Sequence, residues 1–174
     1  MNASKAVTAL CATAGLTAAL SGLGPTAHAA AVATCLTNEV VTFSEPVTNT
    51  PKTVTVTVKG QLFTCVGGPA ATGSYTETAE LPNYSCTSLF YQGAGTRVFT
   101  WNDPGVEPST YSYNRTSSRV GANIVIVLLG SITSGTFATE PAKMQLDAVN
   151  PDPLRCATTG ITGLSLFGAL TVGV

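Results

Sequence analysis

Acid–base chemistry in this chain rests on few side chains. There are nine carboxylates, Glu39, Glu45, Glu77, Glu80, Asp103, Glu107, Glu140, Asp147 and Asp152, beside eight Lys and Arg and a single histidine, His28. Residues 1–29 read as a secretory leader. Lys5 supplies the positive charge, residues 6–23 form an uncharged Ala/Leu/Thr run, Gly24 and Pro25 break it, and Ala27-His28-Ala29 places small residues at the cleavage positions. Cleavage after Ala29 leaves residues 30–174 as one domain without histidine. Ser-His-Asp and Cys-His catalysis then lack their base, and histidine metal sites lack their ligand. Lys52, Lys59 and Lys143 remain as bases for a serine nucleophile, but none stands in a Ser-x-x-Lys setting.

Glycoside hydrolysis needs only two carboxylates flanking the scissile bond. Most of the nine acids fall in turn-like segments, where they solvate the chain. Glu77 lies inside a strand pattern, and Glu80, three residues on, faces the other way. Asp147, Asn150 and Asp152 could offer oxygens to calcium, but Pro151 and Pro153 mark that segment as a turn using Asn and Asp for backbone capping. The reading assigns no catalytic residue, no metal and no cofactor.

Four cysteines remain after cleavage, Cys35, Cys65, Cys86 and Cys156. Zinc ligands come in pairs two to four residues apart, and these gaps are far wider, so two disulfides are expected. If the first hairpin turns near Asn49-Thr50-Pro51, residues whose numbers sum to about 100 face each other. Cys35 then meets Cys65 at the open end of the hairpin, and Cys86 is left for Cys156. Val32-Ala33-Thr34-Cys35 only loosely imitates a lipid-attachment box, and lipidation would leave an odd thiol.

Among the aromatics, Phe99 and Trp101 share one strand parity and Tyr111 and Tyr113 share another, with a turn at 102–109 between them. An even-sum register places all four on one face. Exposed, Trp101, Tyr111 and Tyr113 form a strip suited to stacking on sugars; buried, they are core. Segments 67–72 and 82–85, beside Cys65 and Cys86, are the candidate loops for a protease inhibitor. Asn83-Tyr84-Ser85 and Asn114-Arg115-Thr116 match glycosylation acceptors.

These residues must be carried by strands. Only 10% of the chain is charged, against roughly 25% in ordinary globular chains, and 28 threonines supply the polar surface instead. A net charge of −1 disfavours nucleic acid, which calls for clustered Lys and Arg. Residues 53–58 alternate Thr and Val at period two. Further strands are expected at 39–44, 61–65, 74–81, 96–101, 110–116, 122–133, 142–149 and 163–172. Turn clusters at 45–51, 67–72, 102–109, 134–141 and 150–153 punctuate them, and no segment carries a sustained helical stripe. Residues 122–129 are apolar on both parities, which predicts a central strand covered on both sides. Neither that run nor the C-terminal one reaches the ~20 residues of a membrane helix, so a released protein without membrane insertion is expected. Leu164, Leu166, Leu170, Val172 and Val174 share a face.

The expected fold is all-β, mainly an antiparallel β-sandwich, immunoglobulin-like or partly closed as a barrel, with two disulfides. The segments Asn49-Thr50-Pro51-Lys52-Thr53-Val54-Thr55-Val56, Thr100-Trp101-Asn102-Asp103, 130–137, Pro153-Leu154-Arg155-Cys156 and 160–164 give the chain a further character. In these it resembles small uncharacterised secreted β-rich proteins of actinobacteria. That resemblance implies export and a sandwich-like fold, and no activity. The reading is therefore a secreted, non-enzymatic protein with a binding or structural role at the cell exterior, its ligand a polysaccharide or a protein surface. The alternatives are a carboxylate-based glycoside hydrolase and an extracellular protease inhibitor.

Overall fold

Val54 and Val56 are buried and Thr53, Thr55 and Thr57 face outward, as the alternation from Thr53 to Val58 requires. The same inside–outside pattern recurs along every strand of the computed structural model, which describes residues 32–173. The leader expected at 1–29 lies outside the described residues, as does Val174.

The strands are β1 (Ala33–Val47), β2 (Lys52–Val66), β3 (Gly73–Tyr84), β4 (Gly93–Trp101), β5 (Ser109–Val120), β6 (Asn123–Ser134), β7 (Pro141–Val149) and β8 (Ile161–Val172). Each pairs antiparallel with the next, and β8 returns to β1, from Ala33↔Val172 to Thr42↔Gly163, so that the sheet closes on itself. Of the anticipated architectures the closed barrel is the one formed, with strands in sequential order rather than in an immunoglobulin-like arrangement. Such closure removes the exposed edges that open sheets must protect.

Three local expectations need correction. Segments 61–65 and 53–58 belong to one strand, because Gly60 does not break β2. Instead its missing side chain makes room for the ring of Tyr75, which a Cβ at that position would overlap. Strand β6 is not covered on both sides: Ile124, Ile126 and Leu128 point into the barrel, whereas Leu129 is 53% exposed on the outside. A barrel has no second layer to cover that face. Segment 82–85 is not a projecting loop either, since it ends β3 and buries Tyr84 and Ser85.

Both expected disulfides are formed, Cys35–Cys65 and Cys86–Cys156. The β1–β2 ladder runs one residue off the anticipated sum from Leu36↔Phe63 to Phe43↔Val56, and an irregularity beside Thr64 (φ 51°) restores it at Thr34↔Val66. The second bridge joins two short helical pieces, a 3-10 turn over Cys86–Phe90 and α1 (Pro153–Ala157). Asp152 caps α1 by accepting from the Leu154 amide at 2.9 Å, and Pro153 starts it. Cys86 N donates to Thr48 O and Asn49 N donates to Cys156 O, both at 2.9 Å, which ties these pieces beneath the β1–β2 turn.

One seam differs from the rest. β3 and β4 pair only at Gly73↔Trp101 and Ser74↔Thr100, after which the ladder stops.

Candidate functional site in the barrel lumen

Strand alternation carries charge into the interior. On β4, Arg97 shares its parity with Phe99 and Trp101, and all three point inward. On β1 the same holds for Glu39 between Thr37 and Val41, and on β3 for Glu77 after Tyr75. The three strands thus deliver one arginine and two carboxylates to one level of the lumen.

There Arg97, 4% exposed, donates from Nε to Glu77 Oε1 at 2.6 Å and from Nη2 to Glu77 Oε2 at 3.2 Å, a bidentate fork. Its Nη1 donates to Glu39 Oε2 at 3.1 Å and to Met144 Sδ at 3.0 Å. The Tyr75 hydroxyl donates to the same Glu39 oxygen at 2.9 Å, and its ring lies 4.1 Å beneath the guanidinium carbon. Burial alone would loosen the arginine's proton, but Glu39, Tyr75 and Glu77 outweigh it and raise its pKa, so the guanidinium stays charged. The phenols of Tyr75 and Tyr113 are raised chiefly by desolvation, with Glu39 and Glu77 respectively adding to the effect.

This charged layer divides the barrel. Above it Phe99, Trp101, Tyr111 and Phe137 pack ring against ring, with centroids 5.8–6.0 Å apart. Below it lies a cavity of about 100 Å³ walled by apolar side chains such as Val41, Phe43, Val58, Ile126 and Leu166, with the charged layer itself (Glu39, Glu77, Arg97) and Tyr113, Tyr84 and Arg115 on its lining. Arg115 donates from Nη2 to the Leu89 carbonyl at 3.2 Å. Its Nε is buried without a hydrogen-bond partner, and no carboxylate among the described residues forms a salt bridge with it. Tyr84 is raised by desolvation, partly offset by this cation.

The aromatic residues singled out in the sequence do share one face, since β4 and β5 pair with an even sum (Gly95↔Tyr113, Phe99↔Ser109). That face is the interior. Trp101 is 7% exposed and donates from Nε1 to Ser109 Oγ at 2.9 Å; Tyr111 is fully buried with its hydroxyl 2.7 Å from Leu128 O. Neither forms part of an exposed stacking strip. Tyr113 alone of the three lines the cavity. Glu77 and Glu80 face opposite ways as expected, but the partner Glu77 finds is Glu39, with Arg97 between the two carboxylates. Asp152 caps a helix, and Asp147 sits on the outer parity of β7.

Arg97 and Arg115 were not among the sequence candidates, and Glu39 was one of nine carboxylates with no role assigned. A signal was available for two of them. Arg97 shares parity with Phe99 and Trp101, and Glu39 shares it with Cys35 and Phe43, so any face that buries the apolar residues must bury the charges too. No protein family, curated protein or solved structure matches the chain.

Proposed function

We propose that this is an exported, non-catalytic binding protein whose lower lumen takes a small anionic molecule with a short apolar body. The observation that carries the reading is Arg115, a guanidinium without a carboxylate partner among the described residues whose Nε is an unpaired buried donor, on the lining of a cavity whose other charged residues, Arg97, Glu39 and Glu77, are paired with one another. An unmade buried hydrogen bond costs about 1–3 kcal/mol, and a carboxylate on the guanidinium edge would recover it. Cavity size limits the body: an engineered hole of about 150 Å³ accepts benzene, which scales to about four carbon atoms here. The entry route is the β3–β4 seam, where backbone pairing ends.

Two disulfides support an oxidising compartment, in keeping with the leader pattern at 1–29. The non-catalytic reading is supported by Arg97, which fills the space between Glu39 and Glu77 that a hydrolase would leave for the scissile bond and water. Burial of Trp101 and Tyr111 favours the lumen over a polysaccharide platform on the outer surface.

Butyrate is the probe, with n-butanol as the uncharged control, followed by amide chemical shifts in the purified protein. The expected result is saturable butyrate binding that moves β4–β5 amides and weakens about tenfold in Arg115→Met. Absence of saturable binding by carboxylates of two to six carbons would overturn the proposal.

A further inference from the structure

The outside of the barrel is not uniform. On β3 and β5 the outward residues are polar, including Thr76, Thr78, Glu80, Ser112, Asn114 and Thr116. From β6 through β7, β8 and β1 to β2 they are mixed: Val125, Val127, Leu129, Phe167, Leu36, Val40 and Phe63 stand among Lys143, Gln145, Asp147 and the threonines of β2. Register sets Val127, Gln145, Ala169, Leu36 and Phe63 side by side in one row across these strands. Next to that row Phe167, 55% exposed, packs against Phe63 with centroids 5.9 Å apart and the rings tilted. Phe167 forms one wall of a hollow of about 540 Å³ that runs past Asp147, Leu36 and Ala169 to Lys143 and Thr171.

We infer that this face joins two copies of the chain about a two-fold axis. Two charges direct the choice of partner. Lys143 and Asp147 flank Gln145 on β7, both are partly buried, and neither forms a salt bridge among the described residues. Four positions along a strand separate them by about 13 Å, too far to pair within one chain. An axis lying in the interface along the Gln145–Ala169–Leu36 row reverses the strands of one copy over the other. Lys143 then meets Asp147 of the partner subunit, and Asp147 meets Lys143 of the partner subunit. The same operation brings Phe167 over Thr171 of the partner subunit, where the hollow is. One knob, one hollow, one cation and one anion are therefore complementary to their own copies, as an isologous interface requires.

Sedimentation velocity of the purified protein over a concentration series, with circular dichroism as the check on folding, tests the inference. The wild type is expected to dimerise, and Lys143→Glu or Asp147→Lys alone to weaken the dimer at least about tenfold by setting like charges opposite each other. The exchanged pair Lys143→Asp with Asp147→Lys is expected to restore it, because the two-fold axis pairs the swapped charges again. A wild type that stays monomeric throughout overturns the inference. So does a dimer that the single reversals leave unchanged, or one that the exchanged pair fails to recover.

Discussion

Arg97 and Glu77 face each other at the seam where the barrel's backbone ladder ends. Ser74 pairs with Thr100, and three residues further along each strand the next link is a side-chain fork, Arg97 to Glu77, with N–O distances of 2.6 and 3.2 Å. Continuing the ladder would bring the same two residues opposite each other. The ion pair therefore does across this stretch what amide hydrogen bonds do in the other seams, and it does so at the upper margin of the cavity. Glu77 keeps a 21% exposed side chain there, while Glu39, on the far side of Arg97, is 5% exposed.

Replacing Arg97 with Met should therefore destabilise the protein strongly. Glu39 would keep the Tyr75 hydroxyl but lose the only cation bonded to it among the described residues. Breaking a buried pair by removing one partner costs about 3–5 kcal/mol, whereas removing all its charges together is often near neutral. The expected outcome is a large drop in the urea midpoint for Arg97→Met, with most of it recovered when Glu39→Gln and Glu77→Gln are added. A single variant within about 0.5 kcal/mol of wild type would mean the layer contributes nothing to stability.

The tyrosines give the protein an alkaline limit. Tyr75, Tyr84, Tyr111 and Tyr113 are all raised above the ordinary phenol value of 10.0, each chiefly by desolvation. With folded-state pKa values above the unfolded ones, the folded chain retains protons that the unfolded chain releases. Their stabilising contribution is complete below pH of about 10 and declines above it. Phenolate absorbance should thus rise for these four in one cooperative step that coincides with loss of the β-sheet signal. A gradual, non-cooperative titration of all tyrosines with the sheet intact would contradict the burial of these rings.

The sequence carried the strand pattern and both disulfides because each has a local or near-local cause. Thr53–Val58 alternates within six residues, and the first hairpin brings Cys35 to Cys65 through one turn. Closure was less legible. It depends on β1 meeting β8, as in Cys35↔Leu170, and residues so far apart in the chain leave no shared local pattern. Parity could group Phe99, Trp101, Tyr111 and Tyr113, but parity alone does not say which face is inside. Arg97 stands on that same parity, and the structure buries it with carboxylates from two other strands. Val125, Val127 and Leu129 made β6 look doubly covered because its outward positions are apolar as well.

Gly60 lies between the two segments, 53–58 and 61–65, that join as β2, and its role makes the sharpest test of the packing. It pairs with Glu39 on one side and Tyr75 on the other, and a Cβ there would fall within the Tyr75 ring. The ring has little room to retreat. Its hydroxyl is bonded to Glu39 at 2.9 Å, Arg97 lies 4.1 Å over one face, and Phe99 meets it edge-on with centroids 5.6 Å apart. Gly60→Ala should therefore cost about 1–3 kcal/mol through overpacking, although alanine is ordinarily the better strand residue by roughly 0.5–1 kcal/mol. In a Tyr75→Leu background the obstacle is gone, and the same substitution should become neutral or stabilising. The coupling between the two sites, read from urea unfolding of the four proteins of the cycle, is the measurement. An equal cost of Gly60→Ala in both backgrounds would show that something other than the Tyr75 ring requires glycine at this position.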